Sequence, residues 1–505
     1  MSMKKKKKFV IVGAGTAGAI SAVMIKKYWG NKVDVSVYHD KSKEIIGVGE
    51  STAPGIIDLF EKIGLTPEDI IKELPLVTLK LGINSKDWIP NSSYFHGLLE
   101  VSMNDDRDSG FLNCGSLHTI LNDSYDGGIN FNNATNTVPS ERLEGWDEIG
   151  LHIDTKEFSD YVFKKMEEEI TLVDDVVERV RVNPECTEIV NIECKNSGII
   201  DADYFIDASG FESVLFRHLN PKWNDIKKDL PLDKALSQEV ENKSNEIPSY
   251  TLTEATDNGW VWVIPVGDKF RTGYLYSSKF ISDEEAKEKY NDWLLKNYNT
   301  ELENDNIIEF RSGYYEDNYI GNCLAVGLSS GFVEPLEALA FQMIINQLES
   351  FTNHNSTFKN LDFNRRKINE QNRRSYISCI KFVALHYATN RTDSDFWRYM
   401  TNNKMQWVKE FEELCREEFL DLSGEDELLD LWVMDSYIQV VNGLQMFNKK
   451  AIKKFINSKS KEIKKEILDD SKTHYKEVLS AKKNIEYVSH KDLLEEIRNS
   501  TKEGT

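Results

Sequence analysis

The sequence has few cysteines and no apolar run long enough to cross a membrane. Its six cysteines include no CxxC pair, which argues against a disulfide framework and a zinc site. The basic run Lys4–Lys8 is not followed by the apolar segment of a secretory signal. We therefore expect a cytoplasmic protein with reduced thiols and no bound metal.

Positive charge is also in deficit. The chain has 62 basic and 84 acidic residues, a net charge of -22. Such a surface repels nucleic acid and anionic lipid, so we expect neither nucleic acid nor membrane as a partner. At 505 residues the chain is long enough for two or more domains. Association with copies of itself, as a homo-oligomer, is left open.

A glycine-rich loop follows the first predicted strand, Phe9–Val12, and precedes a predicted helix, Ala19–Tyr28. Its first glycine permits a tight turn, its second lets backbone N–H groups approach a pyrophosphate, and its third lets helix and strand pack closely. This context predicts a dinucleotide site built by Gly13, Gly15, Thr16, Ala17 and Gly18. Asp40, just beyond a second predicted strand at Val33–Tyr38, is the available acid for the ribose hydroxyls.

Further small residues follow other predicted strands, as expected where the carboxyl ends of a sheet meet a cofactor. These candidate cofactor contacts are Gly47, Val48, Gly49, Glu50 and Ser51 in one loop, Asp207 in a second, and Gly327 and Gly331 in a third. A helix is predicted from Val333 onward, with Pro335 at a permitted early position and its N-terminal N–H groups suited to an anion.

In these stretches the chain resembles the flavin-dependent halogenases of the tryptophan halogenase family. The matching segments are GAGTAG at 13–18, GVGEST at 47–52, LKLGI at 79–83, FHG at 95–97, FIDASGF at 205–211, GWVWVIP at 259–265, GYLYSSKF at 273–280, NCLAVGLSSGFVEPLEA at 322–338 and LHYATNRTDSDFW at 385–397. A weaker match at 436–443 has Tyr437 where the family usually has tryptophan.

The resemblance implies an α/β protein with a flavin-monooxygenase-like dinucleotide-binding fold, an interleaved β-sheet layer and a C-terminal helical region. Residues 1–350 would form the FAD-binding halogenase core, and residues 351–505 the helical region that caps the substrate pocket. It also implies reduced FAD (FADH2) from a separate flavin reductase, a halide ion (chloride, bromide or iodide) as co-substrate, and a small electron-rich aromatic substrate. The halide is oxidised to hypohalous acid, which travels to a lysine.

The resemblance assigns catalysis to Lys80 and Glu337. Lys80 alternates with Leu79 and Leu81, so the pattern by itself places it on the solvent face of an ordinary strand. Glu337, by its spacing, would lie in a first helical turn. The family usually follows this glutamate with Ser-Thr-Gly, whereas this chain has Ala338-Leu339-Ala340.

The halide would lie on backbone N–H groups at Leu339 and Ala340, and the apolar substitution there predicts a preference for larger, more polarisable halides. His96 matches a histidine near the family's substrate pocket, although a lone histidine is equally typical of packing.

Trp260 and Trp262 stand two positions apart on a predicted strand, so both indoles face one side. The resemblance gives them the role of shielding the flavin from the organic substrate, and a buried structural pair is the alternative. Two other functions stay open: a flavin-dependent aromatic hydroxylase and a non-catalytic flavin-binding protein. Beyond about residue 449 the Lys/Glu-rich sequence predicts solvated terminal helices.

Overall fold

The computed structural model describes residues 5–43, 50–97, 136–139, 149–359, 361–417, 432, 434–484 and 486–500. Within these ranges no helix combines the length and the apolar character needed to cross a bilayer. Helices and strands alternate along the chain, which confirms the predicted α/β class.

The described chain divides into two compact units, and each is assembled from three separate stretches. The first unit contains residues 1–78, 151–227 and 308–376, and the second contains residues 79–150, 228–307 and 377–505. The predicted boundary near residue 350 stays a prediction.

The first unit contains a six-stranded sheet in which parallel strands predominate. Its order across the sheet is Tyr319–Ile320, Cys323–Ala325, Tyr204–Asp207, Lys7–Val12, Val33–His39 and Thr171–Asp174. Only the two strands at the first edge pair antiparallel. Lys7–Val12 therefore lies in the interior of the sheet, where its Phe9-Val10-Ile11-Val12 run is buried on both faces.

The helices of the first unit cover this sheet or connect its strands. They are Thr16–Trp29, Ile56–Glu61, Pro67–Glu73, Thr155–Lys165, Ala340–His354 and the first part of Leu361–His386, which continues into the second unit. The unit also contains smaller pairings. They are Glu50–Ser51 with Gly150–Ile153 (Gly150 itself is counted with the second unit), Val177–Val182 with Ile189–Cys194 and Gly198–Ile200, and Trp223–Asp225 with Gly313–Tyr315 and Gly331–Phe332.

The second unit contains a sheet of long antiparallel strands with one parallel pair. In order across the sheet these are Lys234–Glu241, Lys269–Tyr276, Gly259–Val266, Tyr250–Thr256, Gly82–Lys86 and Ser93–Gly97. One face of the sheet packs against the helix Asp283–Tyr298 through Val261, Val263 and Tyr290. The short strand Thr78–Lys80 begins at the last residue of the first unit, and Thr137–Pro139 pairs with Tyr487–Ser489.

The remaining helices belong to the C-terminal part of the second unit: Asp395–Asn402, Gln406–Glu417, Met434–Gly443, Lys449–Ser458, Lys461–Asn484 and His490–Asn499. The expectation of solvated helices beyond residue 449 is wrong for the last of them. His490 and Leu494 are fully buried, because one apolar face of that helix packs into the unit.

Candidate functional site

The glycine loop of the first unit forms a cradle that side chains would fill. Gly13 has φ +110, and a β-carbon there would lie 2.2 Å from the carbonyl oxygen of Ala208. A β-carbon at Gly18 would lie 2.0 Å from the carbonyl oxygen of Gly13. The helix Thr16–Trp29 begins here with no side-chain cap and no acid in its first turn. Its N-terminal N–H groups are thus suited to a pyrophosphate, and the loop fits FAD.

Asp207 organises the neighbouring loop. One carboxylate oxygen accepts hydrogen bonds from the N–H and Oγ of Ser209 at 3.1 and 2.6 Å. The other accepts from the N–H groups of Leu215 and Phe216 at 2.8 and 2.7 Å. Four protein donors thus hold this fully buried side chain, and its predicted contact with the cofactor stays a prediction.

A third loop, at 327–331, is fixed by a buried polar network. Gly327 has φ +57 and donates its N–H to Oε1 of Gln347 at 3.0 Å. The amide nitrogen of Gln347 donates to Oγ of Ser330 at 2.8 Å. Ser329 donates to the carbonyl of Gly210 at 3.0 Å, and so ties this loop to the Asp207 loop. Together with the glycine loop, the structure therefore brings three of the predicted cofactor segments to the carboxyl ends of neighbouring strands.

Two other predicted cofactor segments, at 47–51 and at Asp40, are not part of these three loops. Gly47, Val48 and Gly49 lie outside the described residues. Burial raises the pKa of the Glu50 carboxyl to about 7, although part of its surface stays accessible. Asp40 accepts hydrogen bonds from Ser42, whose hydroxyl and N–H lower the pKa of the carboxyl.

The segment after Phe332 corrects the predicted helix. That helix begins at Ala340 and not at Val333, so Glu334 and Glu337 lie before its first turn. Pro335 disfavours a helical conformation at the residue before it, and Ala338 has a left-handed φ of 59° that interrupts any helix. Both glutamates are nonetheless buried.

Leu339 occupies the N-cap position of this helix, and its apolar side chain caps no N–H group. No described residue accepts a hydrogen bond from the N–H of Leu339 or Ala340. The predicted halide residues therefore stand at a helix N-terminus that offers donors to an anion.

Lys80 belongs to the second unit, and its side chain is 0% exposed. The solvent-facing position suggested by the alternating pattern is wrong, because Leu79, Lys80 and Leu81 are all fully buried. The N–H groups on either side of Lys80 are both bonded: Leu79 donates to Nε2 of His490 at 3.0 Å, and Leu81 donates to the carbonyl of Ser249 at 2.8 Å. The backbone that carries the amine is therefore held on both sides.

The two predicted tryptophans lie on the strand Gly259–Val266, both buried and on the face opposite Val261 and Val263. Their ring centroids are 6.4 Å apart with an interplanar angle of 66°, an edge-to-face pair. The sequence prediction that they share a face is confirmed.

His96 lies on the strand Ser93–Gly97 of the same sheet and is buried among aromatic rings. Its ring centroid is 5.8 Å from that of Phe382 and 6.0 Å from that of Trp432. Phe382 and Trp432 stack at 4.0 Å with an interplanar angle of 22°. Lys80, His96 and the tryptophan pair thus lie in one unit, and the strand Gly82–Lys86 of this sheet begins two residues after Lys80.

His490 was missed by the sequence analysis. A histidine at the start of a Lys/Glu-rich helix has no local signal that distinguishes it from a surface residue, and only the tertiary contact with Leu79 reveals it.

Comparison with known proteins shows which family the chain resembles. The family model described as tryptophan halogenase matches residues 8–459. The chain is 28% identical over 439 residues to the tryptophan 6-halogenase SttH of Streptomyces toxytricini, which covers 79% of this chain and 81% of that protein. It is 27% identical over 424 residues to the tryptophan 7-halogenase RebH of Lentzea aerocolonigenes, with 77% of this chain and 78% of that protein covered.

The fold recurs in solved structures. Xcc4156, a flavin-dependent halogenase from Xanthomonas campestris, superposes with a TM-score of 0.82 at 20% identity, over 98% of this chain and 99% of that one. A tryptophan halogenase from Shewanella frigidimarina superposes with a TM-score of 0.80 at 22% identity, over 98% of both chains. These likenesses confirm the predicted flavin-monooxygenase-like dinucleotide-binding fold.

Proposed function

The chain belongs to the tryptophan halogenase family, and from this premise we propose that Lys80 passes the oxidant to an electron-rich aromatic substrate. The members are flavin-dependent halogenases, so the chain is an oxidoreductase that uses FADH2, oxygen and a halide ion. The family match favours halogenation over the hydroxylase and the non-catalytic alternative. The complete burial of Lys80 is the observation that carries the proposal for this residue.

When bound, the reduced flavin would supply two of the electrons that reduce O2, and the halide, which is oxidised, would supply the other two: FADH2, O2, halide and one proton give FAD, water and hypohalous acid. The protein contributes the glycine-loop cradle around Gly13 and Gly18, which orients the dinucleotide, and a second site where the oxidant is used.

Lys80 suits the second step because burial of an amine disfavours its charged form, and the neutral nitrogen is the nucleophile. It either hydrogen-bonds the hypohalous acid or exchanges an N–H bond for a nitrogen–halogen bond with release of water. In both routes the ring forms a carbon–halogen bond and loses a proton. We assign that proton to the Glu337 carboxylate, on the strength of its motif and its burial.

The halide is assigned to the N–H groups of Leu339 and Ala340 at the start of the helix Ala340–His354. Leu339 brings apolar bulk where the family usually has threonine, so the surroundings favour an ion that loses little hydration energy. We propose bromide or iodide in preference to chloride.

Trp260 and Trp262 are assigned the task of keeping organic substrate away from the flavin, which protects the oxidant from side reactions. His96, with the stacked rings of Phe382 and Trp432 beside it, is assigned to the substrate pocket. Flat apolar surfaces of this kind suit an indole, a phenol or a pyrrole. The relatives named above act on tryptophan by their names, and free or carrier-bound aromatics of this class are the substrates to screen.

Lys80→Ala is the direct test. We expect more than about 100-fold loss of halogenated product while reduced FAD is still oxidised, since the relay is lost and the flavin site is intact. Lys80→Met keeps the length of the buried chain in case the alanine variant folds poorly. Lys26→Ala is the matched control, because Lys26 is also buried but, among the described residues, its amine donates to the carbonyl of Val33 alone.

Each alternative gives a different result in the same assay. A hydroxylase would form an oxygenated product that Lys80→Ala hardly changes, and a binding protein would turn over nothing before or after the substitution. The assay is mass spectrometry of an aromatic library incubated with FADH2, oxygen and mixed halides.

We also propose that a separate flavin reductase in the cytoplasm supplies FADH2. The expected result is no activity with NADH and FAD alone and full activity once a flavin reductase is added. Activity with NADH in its absence would contradict the proposal.

A further inference from the structure

The last described helix, His490–Asn499, lies beyond residue 459, where the family match ends, and it begins with a fully buried histidine. A buried histidine needs partners for both ring nitrogens, because an unpaired polar atom in the interior is costly. His490 has two. Nε2 lies 3.0 Å from the backbone nitrogen of Leu79, and Nδ1 lies 3.1 Å from the carbonyl oxygen of Ile247.

These two partners determine the tautomer. The N–H of Leu79 can only donate, so Nε2 accepts and carries no proton. The carbonyl of Ile247 can only accept, so Nδ1 carries the proton and donates it. Only the neutral ring satisfies both bonds. Burial lowers the pKa of His490 to about 4, which keeps the ring neutral in neutral solution.

The same framework holds the backbone on the other side of Lys80. Leu81 donates to the carbonyl of Ser249, which stands two residues after Ile247. Ser249 donates its hydroxyl to the carbonyl of Thr137 at 3.1 Å, and His490 donates its backbone N–H to the carbonyl of Asn136 at 3.0 Å. The strand Tyr487–Ser489 pairs with Thr137–Pro139. All these contacts lie within the second unit.

We propose that His490 is a positioning residue for the relay lysine: it bonds the backbone at Leu79 and thereby fixes where the Lys80 amine points. This inference rests on the proposed function of Lys80. We call the ring of His490, with its hydrogen bonds to Ile247 and Leu79, the brace. Because it links these two residues, a displacement of either one also displaces the other. Lys80 has a long, flexible side chain, and only a fixed backbone limits where its amine can reach.

Two conservative variants separate the two ends of the brace. The side-chain oxygen of His490→Gln can lie near the position of Nε2 and accept the hydrogen bond from Leu79. The shorter side chain of His490→Asn can only place its N–H group near the position of Nδ1, so it keeps the bond to Ile247 and loses the bond from Leu79. We expect His490→Asn to lower the halogenated product formed per FADH2 oxidised by about 10- to 100-fold, the range for a misplaced reacting group. His490→Gln should stay within about 3-fold of the wild type.

Leu494→Ala is the control for the docking of the helix, because Leu494 is fully buried on the same helix and the hydrogen bond from Leu79 goes to His490. It should lower the melting temperature and leave the product per FADH2 oxidised unchanged. A purely structural histidine would instead give equal losses for Gln and Asn, in proportion to the loss of stability, and that result would overturn the inference.

Lys80→Ala, measured in the same experiment, distinguishes a failure of the positioning role of His490 from a failure of the proposed function of Lys80. If Lys80→Ala abolishes halogenation and His490→Asn leaves it unchanged, the positioning role is wrong and the relay stands. If Lys80→Ala halogenates normally, the proposed function itself has failed.

Discussion

Trp262 lies directly opposite Gly273 across two antiparallel strands, and a β-carbon at Gly273 would stand 2.0 Å from the outer edge of its indole. The absence of a side chain at Gly273 is therefore what lets the indole lie flat across the neighbouring strand. The position of Trp262 thus depends on a residue outside the tandem-tryptophan motif, on the neighbouring strand Lys269–Tyr276.

Gly273→Ala should displace this indole. We expect a loss of about 1–3 kcal/mol in the free energy of unfolding, because a rigid ring must move to admit the methyl group. We also expect more FADH2 oxidation without halogenated product, as the proposed shield opens. Chemical unfolding and tryptophan fluorescence are the measurements.

The control is Gly198→Ala, where a β-carbon meets nothing within 4 Å and φ is +69. It should cost about 1 kcal/mol from backbone strain and leave the fluorescence unchanged. Equal behaviour of the two variants would contradict the steric role of Gly273.

Halide selectivity should respond to Leu339→Thr combined with Ala340→Gly. These changes restore the residues that the family usually has there, so the share of chloride in the product should rise relative to bromide and iodide. Single-turnover competition among the three halides, followed by mass spectrometry, measures it. A wild-type enzyme that already strongly prefers chloride would refute the hypothesis.

Ala338→Gly should leave the fold unchanged and raise the free energy of unfolding by up to about 1 kcal/mol. Ala338 has φ 59°, which costs an alanine roughly 1–2 kcal/mol, and the greater freedom of glycine in the unfolded chain offsets part of the gain. Ala286→Gly, inside the helix Asp283–Tyr298, is the control and should destabilise by about 1 kcal/mol. Destabilisation by both variants would show that the turn does not strain Ala338.

Stability should fall as the pH rises between about 4.5 and 7, in part because of Glu50. Burial raises the pKa of this carboxyl from 4.5 to about 7, so in that window the folded protein retains a proton that the unfolded chain has released. Its contribution is present below pH 4.5 and is lost as the pH rises through 7, with a magnitude on the order of 1–3 kcal/mol. Unfolding free energies measured across this pH range test it.

Glu50→Gln should flatten this part of the pH dependence, since the neutral amide releases no proton. Glu61→Gln, at an exposed position, is the control and should leave the slope as in the wild type. An unchanged slope in Glu50→Gln would mean that other groups cause the whole dependence.

Hydrophobic periodicity and glycine spacing correctly predicted the elements whose conformation depends on residues close in sequence. The strand, loop and helix around Gly13 and the strand that ends at Asp207 lie where the sequence places them, because hydrophobic periodicity and glycine spacing act over a few residues. The shared face of the two tryptophans follows from strand geometry alone.

The features that the sequence analysis predicted wrongly or missed depend on tertiary contacts and backbone conformation. Lys80 is buried despite an alternating pattern typical of a solvent face, because the neighbouring positions are enclosed as well. The helix after Phe332 begins later than predicted, because the left-handed backbone of Ala338 interrupts it. Alanine does not usually adopt that conformation, so the sequence gives no sign of it. The contact between Leu79 and His490 could not be predicted by any pattern within one segment.

The bond between Leu79 and His490 joins residues 411 positions apart, which constrains when the enzyme can become active during its synthesis. At roughly 5–20 residues per second, a ribosome needs on the order of 20–80 s between making one partner and the other. Throughout that interval the nascent strand with Lys80 lacks its brace. If His490 positions Lys80 as proposed, newly made chains should therefore acquire full halogenating activity only after His490 has left the exit tunnel, even if the flavin cradle has already formed.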